Sequence, residues 1–430
     1  MGDILEEKMS KKESINFGLY AMGKLVSLLG SSIQMIAIPL YILDLTGSGK
    51  AMGTFTMLTI LPFLIMAPFA GVIGDRWNRK KIMIHMDWIR GVIILGLMVL
   101  AQQELMNIAY LFIAQVVLAL MGTVFNASTG AMLPDIVDER HLLKANSVMG
   151  GINGSSQIVG PILGGVLYGF GGIEMIFLIN GVSFILSAIS EIFIVYQPKN
   201  NKMTDKITPK IFIEDLKEGM KYIFQNKSLI ALLIYFCGVN LLFSPAFAVI
   251  LPYALKLTLK FSDYQYGIVQ STFMVGILIG NVLLGAVLSK RPIEKLIKNG
   301  ITGMIFFSLT LALTFFPQIV SVLGGKGMTL MVVICLQFIL MGIFNALINT
   351  SFDTNFQRLV PTEIRARVFS VTGIVSQMGV PVGAVVFGFL LDMIPSYVAF
   401  FIAVGLGAVV TIVFYIKAPK EVFNPLKETA

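Results

Sequence analysis

Charged side chains are scarce in this sequence. Asp, Glu, Lys and Arg together make up 13% of its 430 residues, whereas hydrophobic residues make up 56%. Soluble domains usually contain about 25% charged residues, roughly twice the share found here. The composition therefore argues against a series of soluble domains and indicates a chain that lies largely in lipid.

Cysteine and histidine are also rare, with two of each at Cys237, Cys335, His85 and His141. Both cysteines fall within apolar runs, where buried free thiols are expected rather than a disulfide framework. Neither histidine has Cys or carboxylate residues at metal-ligand spacing. The sequence also shows no nucleotide-binding loop and no nucleophile–base arrangement. We therefore expect no metal site, no cofactor and no enzymatic activity.

Long apolar runs predict twelve transmembrane helices. A helix needs about 20 apolar residues to cross a bilayer, and only helices or closed barrels satisfy every backbone polar group in hydrocarbon. The runs lack the alternation, about ten residues long, that is typical of barrel strands. The predicted fold is therefore all-α and integral to the membrane. The predicted spans are 17–43, 51–73, 82–101, 107–131, 146–170, 174–196, 228–258, 264–289, 294–316, 326–351, 367–391 and 396–417.

Basic residues are distributed unevenly between the loops. If both termini are inside, most of the 32 Lys and Arg residues fall in inner segments. The outer loops then contain only Lys50, Lys256, Lys260 and Lys326. The positive-inside rule thus predicts cytoplasmic termini and a cytoplasmic middle loop, in a multi-pass protein of the cell membrane. Because topology explains the net charge of +8, we do not expect nucleic acid as a partner.

The basic segment 197–227 divides the spans into two sets of six. The predicted domains are an N-terminal cytoplasmic segment (1–16), an N-terminal six-helix bundle (17–196), a cytoplasmic linker (197–227), a C-terminal six-helix bundle (228–417) and a cytoplasmic tail (418–430). The linker contains a predicted amphipathic helix whose apolar face is formed by Phe212, Leu216, Met220, Ile223 and Phe224. Such a helix is expected to lie at the membrane interface, and partner binding is the alternative.

The two sets of spans repeat in sequence. Ser156–Pro161 recurs as Ser376–Pro381, and Gly53 corresponds to Gly267 near the start of the second half. Parallel six-helix repeats, related by an axis along the membrane normal, place a binding site at the midplane between the halves. The repeat therefore predicts alternating access around a central cavity.

A glycine-bearing, charged loop separates the second and third spans. It reads Gly71-Val-Ile-Gly74-Asp75-Arg76-Trp-Asn-Arg79-Lys80-Lys81. In spacing, position and sidedness it resembles the signature of the major facilitator superfamily, Gly-x-x-x-Asp-Arg-x-x-Arg-Lys. The resemblance implies a fold of two pseudo-symmetric six-helix bundles. It also implies a conformational switch in which the Asp75 carboxylate meets a helix of the other half when the cytoplasmic side closes.

Other segments narrow the resemblance. Met132–Asp135 and Gln357–Ser370 are similar to the branch of macrolide-efflux proteins and enterobactin exporters, and the similarity covers residues 15–418. The fifth span carries an antiporter-like motif that favours export: Gly160, Pro161, Gly164 and Gly165. Tight helix packing would use the same residues. No Lys or Arg occurs between Arg90 and Arg140, so a coupling scheme built on an arginine in the fourth span cannot be carried over.

A polar stripe in the first span predicts a cavity wall. Lys24, Ser27, Ser31 and Gln34 share one helical face, and the matching positions of the seventh span include Asn240 and Ser244. Four further cavity candidates are Gln115, Asn126, Gln337 and Asn345. Hydrogen bonds between packed helices are the alternative explanation of this stripe.

Few charges lie away from the outer ends of the spans. Lys24, Asp75, Asp87, Arg90 and Glu191 are the exceptions. A charge at the bilayer centre costs about 2.5–3.5 kcal/mol on insertion scales, so each needs a reason. Glu191 and Asp87 are the candidate proton-coupling residues. For Lys24 with Glu191, a structural ion pair is the alternative.

Together these features predict a secondary-active transporter that exports lipophilic or amphipathic compounds, such as a drug, a macrolide or a siderophore-like metabolite. A cavity with amides, hydroxyls and almost no charge does not suit sugars or phosphate esters. The alternatives are a lipid or lysolipid flippase and a non-transporting membrane sensor or scaffold. The expected partners are the bilayer, the substrate and the proton as coupling ion, and the expected state is a monomer.

Overall fold

The fold was obtained from a computed structural model that describes residues 9–196, 209–325 and 327–424. The side chains of residues 68, 71, 72, 74–76 and 209–213 lie outside this description. Within these ranges every regular element is a helix. The helices are α1 (Lys11–Thr46), α2 (Gly49–Arg76), α3 (Arg79–Gln102), α4 (Ile108–Ile136), α5 (Leu142–Ile192), α6 (Pro209–Gln225), α7 (Lys227–Thr258), α8 (Asp263–Leu288), α9 (Ile293–Thr314), α10 (Pro317–Val322), α11 (Met328–Leu359), α12 (Thr362–Leu391), α13 (Ser396–Lys417) and α14 (Lys420–Phe423).

Eleven helical segments in the described ranges are long and apolar enough to cross a membrane. One of them is α5, which contains two of the twelve predicted spans. Gly172 interrupts it with a non-helical backbone (φ 61°, ψ −162°), a conformation that glycine adopts without a Cβ penalty. Gly160 packs on Ser32 of α1 while Asn180 packs on Gly30, so the chain reverses between them. The predicted all-α membrane fold is confirmed.

Side-chain caps and prolines determine where several helices begin or bend. The Asn78 side chain accepts a hydrogen bond from the Lys81 backbone N–H at the start of α3, and Ser262 forms a capping box with Gln265 at the start of α8. The helix α12 is interrupted at Met378, because Pro381 has no N–H for the helical hydrogen bond three to four residues back.

The chain divides into two compact units. The first contains the described residues of Met1–Ala37 and Ile65–Pro209, and the second those of Ile38–Leu64 and Lys210–Ala430. The ends of α1 and α2 that are joined at residues 47–48 thus belong to the second unit. The predicted domain boundaries follow the sequence repeat rather than contacts, and they stay a prediction.

Corresponding helices of the two repeats pack closely in the same way, α5 on α1 in the first unit and α12 on α7 in the second. In the first unit, a Cβ added at Gly164 of α5 would lie 2.7 Å from the Ile33 carbonyl oxygen of α1. In the second unit, a Cβ at Gly383 of α12 would overlap the Leu241 carbonyl oxygen of α7. Glycine is needed at both places because the two backbones are in contact.

The predicted amphipathic helix corresponds to α6, whose apolar face packs on other helices of the second unit. Ile223 is fully buried in a cluster with side chains of α7, α9, α11 and α12, and Leu216 and Met220 pack against the same cluster. Asp215 and Glu218 pair with Arg367 at the start of α12. Much of this face is therefore covered by protein, and the expected place of the helix at the membrane interface stays a prediction. Phe224 is exposed, and the Phe212 side chain is outside the description.

Candidate functional site

Four ionisable side chains come together inside the first unit, and we name them the charged cluster: Lys24, Asp87, Arg90 and Glu191. Lys24 lies on α1, Asp87 and Arg90 lie on α3, and Glu191 lies near the end of α5, after the break at Gly172. Close packing of α1 on α5 brings them together, since a Cβ at Gly23 would lie 3.2 Å from the Ser187 hydroxyl oxygen. The structure thus unites the two predicted proton-coupling residues with Lys24. Arg90 adds a second cation.

Asp87 and Arg90 form the tightest part of the charged cluster. Asp87 is completely buried, and its Oδ1 accepts a hydrogen bond from Arg90 Nη1 at 3.3 Å. The guanidinium group lies 3.9 Å from the ring centre of Phe184 and 5.4 Å from that of Phe125. Planar stacking of this kind is available to arginine but not to lysine. Asp87 is therefore held by a cation that is itself fixed by aromatic rings.

Glu191 is buried, and none of the ion pairs among the described residues includes it. It is 2% exposed, and its Oε1 accepts one hydrogen bond, from the Ser187 hydroxyl at 3.3 Å. Its Oε2 has no hydrogen-bond partner among the described residues. An ionised carboxylate buried in this way costs several kcal/mol, so a proton on Glu191 changes the energy of the cluster strongly.

Lys24 makes its hydrogen bonds to α4 and none to the two carboxylates among the described contacts. Nζ donates to Asn126 Oδ1 at 3.3 Å and to Thr129 Oγ1 at 3.5 Å, and it lies 4.7 Å from the ring centre of Phe125. Among the described ion pairs none joins Lys24 to Glu191. The Lys24–Glu191 ion pair, which the sequence left open as the alternative, is thus absent from this conformation.

Asn126 lies on an open face of α4. Its side chain is exposed, and no atom lies within 4 Å of a Cβ added at Gly122 or Gly130, one helical turn to either side. We call the surface formed by Gly122, Asn126 and Gly130 the α4 open face. Lys24 therefore connects a buried group of charges to a surface that leaves room for another molecule.

The other predicted cavity residues of α1 and α4 differ in their surroundings. Gln34 is buried and accepts a hydrogen bond from the Asn180 amide, and Ser27 is buried beside the Lys24 backbone. Ser31 is half-buried and donates to the Ser27 carbonyl, and Gln115 is half-buried. Lys24 and Asn126 are thus the two candidates of this group that meet at an open surface.

In the second unit the predicted cavity residues form local polar pairs. The Ser244 hydroxyl donates to Asn240 Oδ1 at 3.1 Å, and Gln337 Nε2 donates to the Thr314 hydroxyl at 3.1 Å. Asn345 accepts from the exposed Asn349 amide at 2.8 Å. Substrate contact by these residues stays a prediction.

The predicted switch loop is described in part. Gly71, Gly74, Asp75 and Arg76 are described by their backbone only. Arg79 Nη1 bonds Asp135 Oδ2 at 3.0 Å and the Ala131 carbonyl at 3.1 Å, which ties α3 to the end of α4. Lys80 donates to the Ile192 carbonyl at 2.7 Å. The basic end of the loop therefore joins three helices of the first unit.

Sequence reasoning missed several residues of these arrangements. Phe125 and Phe184, which face the two cations, look like ordinary core positions in the sequence, and so does Thr129. Asp392, after α12, was also missed. Its carboxylate accepts hydrogen bonds from the Ser48 hydroxyl and the backbone N–H groups of Gly49 and Lys50, and so caps the N-terminus of α2.

The fold and the buried charges define a polytopic membrane transport protein. A family model for the Major Facilitator Superfamily matches residues 20–339 and 246–429. Macrolide efflux protein A of Streptococcus pyogenes is 30% identical over 383 residues, covering 86% of this chain and 88% of that protein. The protein of the same name from Enterococcus faecalis is 30% identical over 341 residues, with 77% and 98% covered. The chain belongs to the Major Facilitator Superfamily.

A solved structure agrees on the fold. The nucleoside transporter NupG superposes with a TM-score of 0.72, covering 95% of this chain and 99% of that chain at 14% identity. The family and the fold are those of transporters and not of enzymes, and the resemblance read from the Gly71–Lys81 loop is confirmed.

Proposed function

We propose that this chain is a proton-driven exporter of lipophilic or amphipathic compounds that works by alternating access. The observation that carries the proposal is the charged cluster in the first unit. Charges at membrane depth are expensive and are retained where they bind ions, protons or substrates. Glu191 and Asp87 are the groups in the cluster on which a transported proton would bind.

The available energy is sufficient for such export. One proton moving through 100 mV supplies about 2.3 kcal/mol. At about 1.4 kcal/mol per factor of ten, this sustains a substrate gradient of roughly fiftyfold. One proton per uncharged substrate is therefore enough to account for useful export, whereas exchange of one proton for a substrate cation moves no net charge and draws on the pH gradient alone.

Substrate class and direction have separate support. The names of the two efflux relatives support export, and the α5 motif, similar to that of antiporters, supports the same direction. The side chains near the α4 open face are an amide, a hydroxyl and one ammonium group, with aromatic residues behind them. Such a surface favours a bulky amphipathic compound with a few polar groups over a sugar.

Transport in reconstituted vesicles tests this proposal. Lipophilic dyes and a macrolide should move only when a pH gradient is imposed, and an uncoupler should abolish the movement. Glu191→Gln should lose gradient-driven transport but keep energy-independent exchange, because glutamine fills the site without titrating. Glu139→Gln, which changes an exposed carboxylate, is the control and should transport normally.

Two results would count against the proposal, and a third would reassign its proton-coupling residue. Movement of sugars, amino acids or organic anions alone would contradict the substrate class. Transport that ignores the pH gradient would contradict proton coupling. Normal transport by Glu191→Gln at every pH would show that Glu191 is not the proton-coupling residue and would leave Asp87 in that role.

A further inference from the structure

The ammonium group of Lys24 occupies a site suited to an organic cation. Two acceptor oxygens, Asn126 Oδ1 and Thr129 Oγ1, lie 3.3 and 3.5 Å from Nζ, and the ring of Phe125 faces it at 4.7 Å. Acceptor oxygens together with an aromatic face are the contacts that recognise an ammonium or amine group. Asn126 opens on the α4 open face, whereas Thr129 and Phe125 are buried next to it, so a molecule from outside the unit meets Asn126 first and reaches the deeper contacts only after Lys24 has left them.

A second position for this ammonium group lies close by. Gly23, the residue before Lys24, packs against Ser187, and the Ser187 hydroxyl oxygen is 3.3 Å from Glu191 Oε1. Lysine carries its charge on a flexible four-carbon stem and has three donors. Lys24 and Glu191 lie within electrostatic range of one another, and rotation of the lysine stem is the movement that would bring Nζ to the carboxylate.

The other charged and titratable groups around Glu191 each have a partner of their own. On α3, Asp87 accepts from Arg90 through Oδ1, while its Oδ2 has no hydrogen-bond partner among the described residues, and the guanidinium group of Arg90 stacks on Phe184. On α1, the Tyr20 hydroxyl donates to the Thr129 carbonyl at 3.1 Å. On α5, Ser187 donates to Glu191 itself. Neighbouring Asn126 and Thr129 on α4 do not titrate. Lys24 is therefore the cation in the charged cluster that is free to change partners.

The charge on Glu191 decides which position Lys24 prefers. With a proton on Glu191, the buried acid offers no negative charge, and the ammonium group stays on Asn126 and Thr129, as in the structure. When Glu191 is ionised, an ion pair with Lys24 relieves the cost of a buried unpaired carboxylate. The acceptor oxygens at the α4 open face are then vacated.

We propose that Lys24 is a tethered competitor of a cationic amphipathic substrate, and that proton uptake by Glu191 returns it to the substrate site. Ionised Glu191 holds Lys24 and lets the cation bind at Asn126 and Thr129. A proton that binds the Glu191 carboxylate releases Lys24, which displaces the substrate cation. Proton and substrate thereby exclude one another, as proton-driven export requires. This inference rests on the proposed function and adds to it the substrate charge and the residue that links the two sites.

Binding of ethidium, a permanent organic cation, to the purified protein in detergent tests the inference. Fluorescence polarisation should show weaker binding by the wild type at acidic than at alkaline pH. Glu191→Gln should bind about tenfold more weakly than the wild type at alkaline pH, within the usual range of coupling between two sites. Glu191→Gln should also lose the pH dependence, and adding Lys24→Met to it should restore the affinity.

The double variant separates competition from a structural defect. If Glu191→Gln only disturbed folding, a second substitution in the same cluster would not restore binding. A second readout uses the wild type: ethidium binding in weakly buffered solution should release protons, and Lys24→Met should bind ethidium without releasing them. Glu139→Gln is the control in both assays and should match the wild type.

Several outcomes would overturn the inference. They are equal binding by the wild type and Glu191→Gln, a double variant as weak as Glu191→Gln, and no ethidium binding by the wild type. If neutral lipophilic dyes are still exported under a pH gradient, the proposed function stands and this inference alone fails. If no compound responds to the gradient, the proposed function fails with it.

Discussion

At the scale of single residues, Arg90 is held from two sides. It holds the completely buried Asp87 at 3.3 Å and stacks on Phe184, so its charge is balanced on one side and covered on the other. Asp87 Oδ2 has no hydrogen-bond partner among the described residues, which leaves Arg90 as its main stabilising contact. Stability in this region therefore depends on a pair of opposite charges rather than on apolar packing alone.

Removal of Arg90 should destabilise the first unit. Arg90→Met retains much of the volume but leaves Asp87 as an uncompensated buried charge, which costs about 3–5 kcal/mol when one partner of a buried pair is removed. The apparent melting temperature of the detergent-solubilised protein should fall clearly. Asp87→Asn/Arg90→Met, which removes both charges, should recover most of the loss. If the single variant were as stable as the wild type, the pair would not hold the unit together.

At the scale of helices, glycine positions decide how closely α5 approaches α1. The Cβ of an alanine at Gly164 would lie 2.7 Å from the Ile33 carbonyl oxygen, which is backbone and has no rotamer to adjust. In contrast, no atom lies within 4 Å of a Cβ at Gly154 on the same helix. The antiporter-like motif thus has a packing role in the first unit, whatever it contributes to transport.

Gly164→Ala should therefore be destabilising by about 1–3 kcal/mol, the usual cost of forcing extra atoms into a packed interface. Gly154→Ala is the matched control and should leave stability unchanged or raise it, since alanine favours helix over glycine. Thermal unfolding in detergent measures both. Equal stability of the two variants would show that α1 and α5 separate easily.

The predicted switch loop belongs to the same scale, because it covers the end of α2, the connection at residues 77–78 and the start of α3. Its resemblance to the superfamily signature leads us to predict that Asp75→Asn inserts and folds but transports poorly. Asp75 lies at the end of α2, and the contact expected for it in the closed state is with the N-terminus of another helix. A carboxylate gains about 0.3–1 kcal/mol there, and up to about 2 when partly buried, so its loss shifts a conformational equilibrium. Cysteines on the inner cavity wall should label faster in this variant. Unchanged turnover and labelling would show that the loop serves only to orient the chain in the membrane.

At the scale of the whole molecule, orientation in the membrane is the main expectation from charge. Gln103, after α3, and Lys144, near the start of α5, are both exposed and lie on opposite predicted sides. Single cysteines at these positions, in a Cys237→Ser/Cys335→Ser background, should react differently with an impermeant thiol reagent on intact cells. We expect labelling at Gln103→Cys and none at Lys144→Cys until the membrane is permeabilised. The reverse pattern would invert the topology.

The sequence by itself determined the all-α membrane fold, the positions of the helices and the family. Apolar length, proline, glycine and the Gly71–Lys81 loop are local signals, and the bilayer makes helix formation nearly obligatory for such runs. The amphipathic helix α6 could be predicted from the sequence for the same reason, since its pattern of apolar residues repeats within a few helical turns. Its packing partner was not, because the pattern shows which face is apolar but not what covers it.

Only the tertiary structure decided which polar residues meet. Lys24, Asp87 and Glu191 stood out in the sequence because charge is costly in a membrane, but their partners depended on how α1, α3, α4 and α5 cross. Helix packing placed Arg90 between two phenylalanines, left Glu191 outside the ion pairs of the described residues and turned Lys24 towards Asn126. Contacts between residues a hundred positions apart follow from interhelical geometry, and a linear pattern of hydropathy does not contain that information.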